Sequence, residues 1–302
     1  YRDLDKGNVN AINATPATWE NYTQTLANIS AWYSKFNSRT DIALIRNVND
    51  IYKASDKGQV GIIIGFQNAS PIENNLDYIY TFNELNVKII QFTYHERNLL
   101  GNGCYERVDE GITNFGIDAI KIMNEAGILI DLSHVGIVTT METIDYSEKP
   151  IAITHANPKS YHNVPRNKTD EALKLMASKG GIVGVTAIAP FLKKENASTV
   201  EDYVDAISYT VDLVGLDHVG VGTDFTQDQP EEFWKYIGSQ QGTKFPSTFT
   251  DVTTPSNYPI NFETPDKFPV LIDTMGRKGF SSEEIAKILG LNWIRVFQEV
   301  WK

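Results

Sequence analysis

Five polar side chains stand where short apolar runs end, and their chemical types suit catalysis. They are Gln67, Tyr94, His134, His155 and Asp224. Each lies at or just beyond the C-terminal end of a hydrophobic stretch of the kind that forms a buried strand. Imidazole and carboxylate groups are ligands that suit zinc or a similar divalent cation. The pattern therefore indicates a metal site built by the two histidines and the aspartate.

A structural role is the alternative for each histidine taken singly, and the metal hypothesis depends on several strand ends coinciding. His95, His162 and His218 lack that support. His218 is interpreted as a strand-entry residue at the opposite end of the fold, and His162 as a loop residue. Cys104 is interpreted as a loop or half-buried thiol rather than a nucleophile.

The elements that must position these residues are parallel strands alternating with helices. The apolar runs are nearly continuous, which is typical of parallel strands buried on both faces, and amphipathic stretches separate them. Seven runs are predicted as strands: residues 9–13, 60–66, 87–94, 128–134, 151–155, 181–187 and 218–224.

Helical patterns lie between the runs. Residues 18–36 carry apolar side chains at helical spacing, and residues 1–7 resemble the last turn of a helix with Gly7 as its C-cap. The pairs Ser198 with Glu201 and Ser281 with Glu284 have the spacing of a capping box, which opens a helix.

Seven parallel strands with intervening helices favour the α/β class and a (β/α)8 TIM barrel, whose eighth strand would lie upstream of Tyr1. We therefore expect a chain that starts inside a longer protein, and one barrel domain over residues 1–302. A doubly wound open sheet is the alternative. Residues 226–269, rich in polar, aromatic and proline residues, follow the last strand. Loops of this length are usually functional or disordered, and this one is predicted to be a lid.

Composition limits the partners. The formal net charge is −11 over 302 residues, which argues against nucleic acid because its binding depends on Lys and Arg. No run of about 18 apolar residues is present, so no membrane span is predicted. The N-terminal residues lack the features of a signal peptide, and a single cysteine excludes an intrachain disulfide. We expect a cytoplasmic protein that acts on a small molecule.

Several motifs together resemble the membrane (renal-type) dipeptidase family of the amidohydrolase superfamily. They are GILIDLSHVG at 127–136, ITHANP at 153–158, RNKTD at 166–170, and the later GGIVGV, VGVGTDF and ILGLNWIRVFQEVW stretches. The resemblance covers essentially the whole chain from Gly58 onward. It implies a (β/α)8 barrel that holds two zinc ions and hydrolyses dipeptides, and it favours a homodimer.

The resemblance also implies roles for individual residues. His134 and His155 would ligate a metal, and Asp224 would be a ligand or the base for the attacking water. Arg166 would hold the free carboxylate of the substrate through a bidentate contact. Tyr94 falls where the family has the histidine that stabilises the tetrahedral intermediate, and its hydroxyl can still donate a hydrogen bond.

The departures from the family concern the metals. The N-terminal His-x-Asp pair of the family belongs to the strand expected upstream. The position of the family's glutamate that bridges the two metal ions is occupied here by Gln67, which would be a weak ligand. A branch of bacterial homologues looks similar at the positions of Gln67 and Tyr94. His134, His155, Gln67 and Asp224 supply one negative charge between them, so a second divalent ion would leave excess positive charge. We predict one zinc ion or none, and two only if an upstream His-x-Asp pair exists.

Three functions follow from this pattern. The leading hypothesis is a metal-dependent hydrolase that cleaves the amide bond of dipeptides or similar small carboxylate-bearing substrates. The second is a one-metal amidohydrolase that acts on a different amide, an ester or a lactone. The third is a degenerate, non-catalytic homologue that binds a small molecule or serves as a partner subunit. The metal-type residues and Arg166 argue against complete decay, because a scaffold needs none of them.

Overall fold

The computed structural model describes residues 2–227, 229–239 and 258–302, and these divide into two compact units. The first unit comprises Val9–Ile151 and Phe297–Lys302. The second comprises Arg2–Asn8 and the described part of Ala152–Val296. The boundaries of one domain over residues 1–302 stay a prediction.

Short parallel strands alternate with helices in both units. The strands are β1 (Ala11–Ala14), β2 (Ile42–Leu44), β3 (Val60–Phe66), β4 (Val87–Gln91), β5 (Leu129–Asp131), β6 (Ala152–Ile153), β7 (Ile182–Val185) and β8 (Val219–Val221). The helices are α1 (Arg2–Lys6), α2 (Tyr22–Ser38), α3 (Val48–Asp56), α4 (Asp77–Glu84), α5 (Asn114–Ala126), α6 (Ile137–Tyr146), α7 (Asp170–Ser178), α8 (Val200–Val214), α9 (Glu231–Ile237), α10 (Phe268–Arg277), α11 (Ser282–Ala286) and α12 (Asn292–Val300).

The first unit contains β1 to β5. β3 pairs in parallel with β1, β2 and β4, and β4 pairs in parallel with β5. Every residue of β3, β4 and β5 is buried, including the polar Lys88, Gln91 and Asp131. The other residues of these strands are apolar or glycine, as is typical of parallel strands covered on both faces.

In the second unit, β7 pairs in parallel with both β6 and β8. Its hydrophobic core joins β7 and β8 to α8 and α10, with Tyr203, Tyr258 and Phe262 among the buried aromatic residues. The strand ends of this unit therefore emerge from a packed layer.

Eight strands lie in the described part of the chain, so the prediction of seven strands, with the eighth upstream of Tyr1, was wrong. The additional strand is β2, whose Ile42 and Leu44 pack inward while only three residues pair with β3. Strand β3 matches the predicted residues 60–66, and the six other predicted strands are shorter than predicted. β1 also ends one residue later than predicted.

The helix starts follow their caps. α2 begins at Tyr22 rather than near residue 18, because Asn21 and Gln24 form a capping box. The box at Ser281 and Glu284 is confirmed. The predicted box at Ser198 and Glu201 was wrong by one residue: Thr199 caps α8, and the Asp202 carboxylate accepts the Thr199 backbone N–H at 2.9 Å.

The predicted C-cap at Gly7 follows a real helix, α1, but has a different cause. Asn8, with φ of 54°, adopts the left-handed conformation there. At Gly7 a Cβ atom would overlap the carbonyl oxygen of Pro265, so close packing requires the glycine.

The segment predicted as a lid, residues 226–269, is described only in part. Residues 228 and 240–257 lie outside the described residues. The rest contains α9, a 3₁₀ turn at Pro265–Lys267 and the start of α10. The lid role stays a prediction. Among the described helices, none combines the length and apolar character needed to cross a bilayer.

Candidate active site

His155 lies two residues beyond β6 in the second unit, with its ring buried. Its Nδ1 atom lies 2.8 Å from the Thr154 hydroxyl oxygen. Its Nε2 atom lies 4.0 Å from Oδ2 of Asp224. The structure therefore brings together two of the residues predicted to ligate a metal. The contact with the Thr154 hydroxyl fixes the orientation of the His155 imidazole, whose other nitrogen faces Asp224.

Asp224 lies three residues beyond β8 and has a backbone that favours glycine. Its φ angle is 56°, in the left-handed region that L-residues other than Asn, Asp and Gly seldom occupy. The side chain remains 24% exposed. Non-glycine residues in this conformation collect at functional sites, where the surrounding structure has to maintain them.

Arg166 belongs to the same group. Its side chain is among the largest fully buried ones, and the residue is 1% exposed. One terminal nitrogen donates a hydrogen bond to the backbone oxygen of His155 at 2.9 Å. The guanidinium carbon lies 5.4 Å from the centroid of the Phe191 ring. A buried cation thus adjoins the backbone of the residue whose ring faces Asp224.

Two glycines set the spacing of these strand ends. At both Gly184 and Gly222, a Cβ atom would lie far inside van der Waals contact with the backbone oxygen of Thr154. The chain segments that carry His155 and Asp224 can therefore approach only because both positions lack a side chain.

Tyr258 also reaches this group, although no sequence pattern predicted it. Its hydroxyl donates to the backbone oxygen of Asp224 at 2.7 Å. The contact joins residues 34 positions apart, and neither strand periodicity nor a motif marks Tyr258.

The predicted residues of the first unit form a second group, around His134. The Tyr94 ring stacks on the His134 ring at a centroid distance of 4.1 Å and an angle of 21°. Trp19 meets Tyr94 edge-on at 5.1 Å. Tyr94 and His134 lie three residues beyond β4 and β5 respectively, and both are buried.

His95, which the sequence did not single out, is part of this group. It is buried, and its Nδ1 atom lies 3.2 Å from Nδ1 of His134, so one of the two nitrogens donates to the other. Its φ angle is 59°. The Cys104 sulfur lies 4.0 Å from the same His95 nitrogen, and Cys104 is half-buried as predicted.

Gln67 follows β3 directly and is half-buried. Its backbone oxygen accepts a hydrogen bond from the side-chain amide of Gln91, which also donates to the backbone oxygen of Thr93 at 2.7 Å. Gln91 is fully buried, and its own amide oxygen has no hydrogen-bond partner. The first unit therefore places a second amide beside the strand end that Gln67 occupies.

The donor atoms suit zinc in type. Two zinc ligands at tetrahedral positions lie about 3.3 Å apart, and the 4.0 Å between His155 Nε2 and Asp224 Oδ2 is somewhat longer. The hydroxyl contact on His155 Nδ1 resembles the outer contacts that orient metal-binding imidazoles. Within residues 2–227, 229–239 and 258–302, no group of three or more His, Cys, Asp or Glu side chains could hold a metal ion. The candidate metal ligands described in the second unit are therefore two, His155 and Asp224.

Comparison with known proteins places the chain in a family. Residues 3–236 match the Membrane dipeptidase family (Peptidase family M19). A crystal structure of an amidohydrolase from Pseudomonas aeruginosa is 40% identical, with a TM-score of 0.96 over 100% of this chain and 92% of that one. The fold is therefore of the α/β, TIM-barrel-like class, as predicted. The chain belongs to the membrane dipeptidase family.

Two more distant proteins are also similar to this chain, one in sequence and one in fold. Dipeptidase verJ of Clonostachys rogersoniana is 25% identical over 287 residues, which are 94% of this chain and 67% of that protein. A metallo peptidase from Rhodobacter sphaeroides, liganded with a phosphinate mimic of the dipeptide L-Ala-D-Ala, is 18% identical. It shares the fold with a TM-score of 0.81, over 99% of this chain and 89% of that one. The chain spans between 56% and 67% of the length of the curated dipeptidase relatives that it matches.

Proposed function

We propose that the protein is a metal-dependent hydrolase that cleaves the amide bond of dipeptides or similar small carboxylate-bearing substrates. One observation carries the proposal: the buried Arg166 donates to the backbone of His155, whose ring nitrogen faces the Asp224 carboxylate. A cation that suits a substrate carboxylate thus lies beside an imidazole–carboxylate pair that suits a metal. Family membership and the dipeptide mimic bound by the Rhodobacter relative support the same chemistry.

Each residue has a role in this proposal. His155 and Asp224 are the zinc ligands that the described residues bring together. His134, and Gln67 as a weak ligand, are proposed from the family pattern. Zinc, when bound, supplies Lewis acidity, which polarises a carbonyl group and makes water more acidic.

The remaining steps belong to side chains of this protein. Asp224 either is a ligand of the metal or accepts a proton from the attacking water as a general base. The Arg166 guanidinium holds the carboxylate of the substrate, and the Tyr94 hydroxyl donates to the oxygen that becomes negative.

The number of metal ions follows from charge. The four proposed ligands carry a single negative charge, so this chain is proposed to hold one zinc ion or none. Metal analysis of the purified full-length protein tests this point, and two tightly held equivalents would contradict it.

Arg166 provides the test of substrate class. Purified, zinc-supplemented protein is assayed on L-Ala-D-Ala and on the same dipeptide with an amidated C-terminus. The Arg166→Lys variant keeps the buried charge but loses the paired geometry of the guanidinium. We expect KM for the free dipeptide to rise by about tenfold, the effect of losing one charge-assisted hydrogen bond. KM for the amidated dipeptide should change little.

The other outcomes are distinct. If the variant affects both substrates equally, Arg166 is structural. If the protein hydrolyses esters or lactones but no dipeptide, it is an amidohydrolase of another specificity. If it binds zinc and hydrolyses nothing, it is a non-catalytic homologue.

A further inference from the structure

The turn that carries Asp224 is bridged by the hydroxyl of Tyr258. The hydroxyl donates to the Asp224 backbone oxygen at 2.7 Å and accepts the Thr226 backbone N–H at 2.9 Å. It therefore links the carbonyl of one residue to the amide two positions later. Both polar backbone groups depend on a side chain that the chain supplies 34 residues downstream.

Asp224 needs such support, because its left-handed backbone is intrinsically unfavourable. A residue persists in this conformation only where its surroundings determine it. The Thr226 hydroxyl also contacts the Asp224 oxygen, at 3.4 Å, but Thr226 lies on the same turn. Tyr258, in contrast, contacts the Asp224 oxygen from outside the turn.

The Tyr258 ring is itself fixed. It is 6% exposed and belongs to the hydrophobic core of the second unit. It meets the Phe225 ring edge-on at a centroid distance of 5.0 Å. Because Phe225 follows Asp224 directly, ring and hydroxyl hold adjacent residues of one turn.

We infer that Tyr258 is a positioning residue: its hydroxyl holds Asp224 in the left-handed conformation that presents the carboxylate to His155. The inference rests on the proposed function, in which Asp224 and His155 serve a metal-dependent hydrolase. Its conformational part concerns the backbone of Asp224 and can be tested separately.

The test is the Tyr258→Phe variant, which removes one oxygen atom and keeps the ring. The matched control is Tyr203→Phe. Tyr203 belongs to the same core and also donates to a backbone oxygen at 2.7 Å, that of Val185. Both substitutions remove a buried phenolic hydroxyl, so a general loss of stability should appear in both.

Three measurements compare the variants: zinc affinity by chelator competition, the absorption spectrum of the cobalt(II)-loaded protein, and kcat and KM for L-Ala-D-Ala. For Tyr258→Phe we expect zinc affinity to fall by about tenfold, within the range for outer contacts of metal ligands. The cobalt spectrum should change, and kcat should fall more than KM rises. Tyr203→Phe should match the unmodified protein in all three.

Equal behaviour of the two variants overturns the inference. A crystal structure of Tyr258→Phe decides the conformational part without any metal: departure of Asp224 from the left-handed region supports it, and an unchanged turn overturns it. If the unmodified protein neither binds zinc nor hydrolyses dipeptides, the proposed function fails, while this structural comparison still decides the role of Tyr258.

Discussion

At the scale of single residues, two non-glycine residues with positive φ mark the candidate site. His95 and Asp224 have φ angles of 59° and 56°. One contacts the ring of His134, and the other faces the ring of His155. Each unit thus places a left-handed residue against a predicted metal-binding histidine.

His95 offers a prediction at this scale. Its Nδ1 contact with His134 fixes the orientation of that ring, which would present a metal with its other nitrogen. In the His95→Asn variant, asparagine tolerates the backbone but is too short to replace the ring. We expect zinc affinity to fall by about 10- to 100-fold, measured by chelator competition.

The control for that prediction is His162→Asn, which changes a half-buried loop histidine of the second unit. Its zinc affinity should equal that of the unmodified protein. If His95→Asn also leaves zinc affinity unchanged, His95 does not orient a metal ligand.

The sequence predicted the residues that follow strand ends but not those that support them. Tyr94, His134, His155 and Asp224 were found because a polar residue after an apolar run is visible in one dimension. His95 was not predicted, because its position depends on a positive φ angle, which the residue type does not reveal. Tyr258 depends on the return of the chain after 34 residues, which no local pattern encodes.

At the scale of elements, the distance between β6 and β8 depends on missing side chains. Gly184 and Gly222 leave room for the carbonyl oxygen of Thr154. That oxygen belongs to the residue directly before His155, so crowding there would move the imidazole.

Gly222→Ala tests this dependence. The new Cβ overlaps the Thr154 oxygen, and either β8 or the end of β6 has to shift. Overpacking of this kind destabilises by about 1–3 kcal/mol. We expect that loss in urea-induced unfolding, together with weaker zinc binding, because the His155–Asp224 distance changes.

Gly276→Ala in α10 is the matched control, since a Cβ there meets nothing within 4 Å. Alanine in a helix is favoured over glycine by about 0.5–1 kcal/mol, so this variant should be slightly more stable. Destabilisation by both alanines would show that crowding near Thr154 is not the cause.

At the scale of the whole molecule, an acidic chain of net charge −11 buries a lysine. Lys88 on β4 is 5% exposed. Burial lowers the pKa of its ammonium below the ordinary value of 10.5, and Glu84 only partly opposes this. The unfolded chain therefore binds this proton more tightly than the folded one, so the contribution of Lys88 to stability rises with pH up to the unfolded pKa.

Lys88→Met removes that dependence. We expect the variant to be more stable than the unmodified protein at neutral pH, and its advantage to shrink as the pH approaches 10.5. Urea unfolding over this range measures the difference. The exposed Lys57, changed to Met, should show no such trend. A constant advantage of Lys88→Met would mean that packing rather than charge is responsible.

Most of the architecture could be predicted because buried parallel strands are long enough to leave apolar runs. β3 was predicted residue for residue, since all seven of its positions are buried. β2 was not predicted, although it is no shorter than β5 or β8. Motif spacing identified the family, whereas the mutual geometry of the site residues depends on packing that spacing does not describe.

The backbone of Asp224 has a consequence for protein engineering. Glycine and asparagine adopt a φ of 56° at a lower conformational energy than aspartate does. A directed-evolution campaign that selects only for heat resistance would therefore favour replacement of the proposed proton acceptor. Selection for thermal tolerance in this protein has to be paired with a screen for hydrolysis, because at position 224 the two demands select different amino acids.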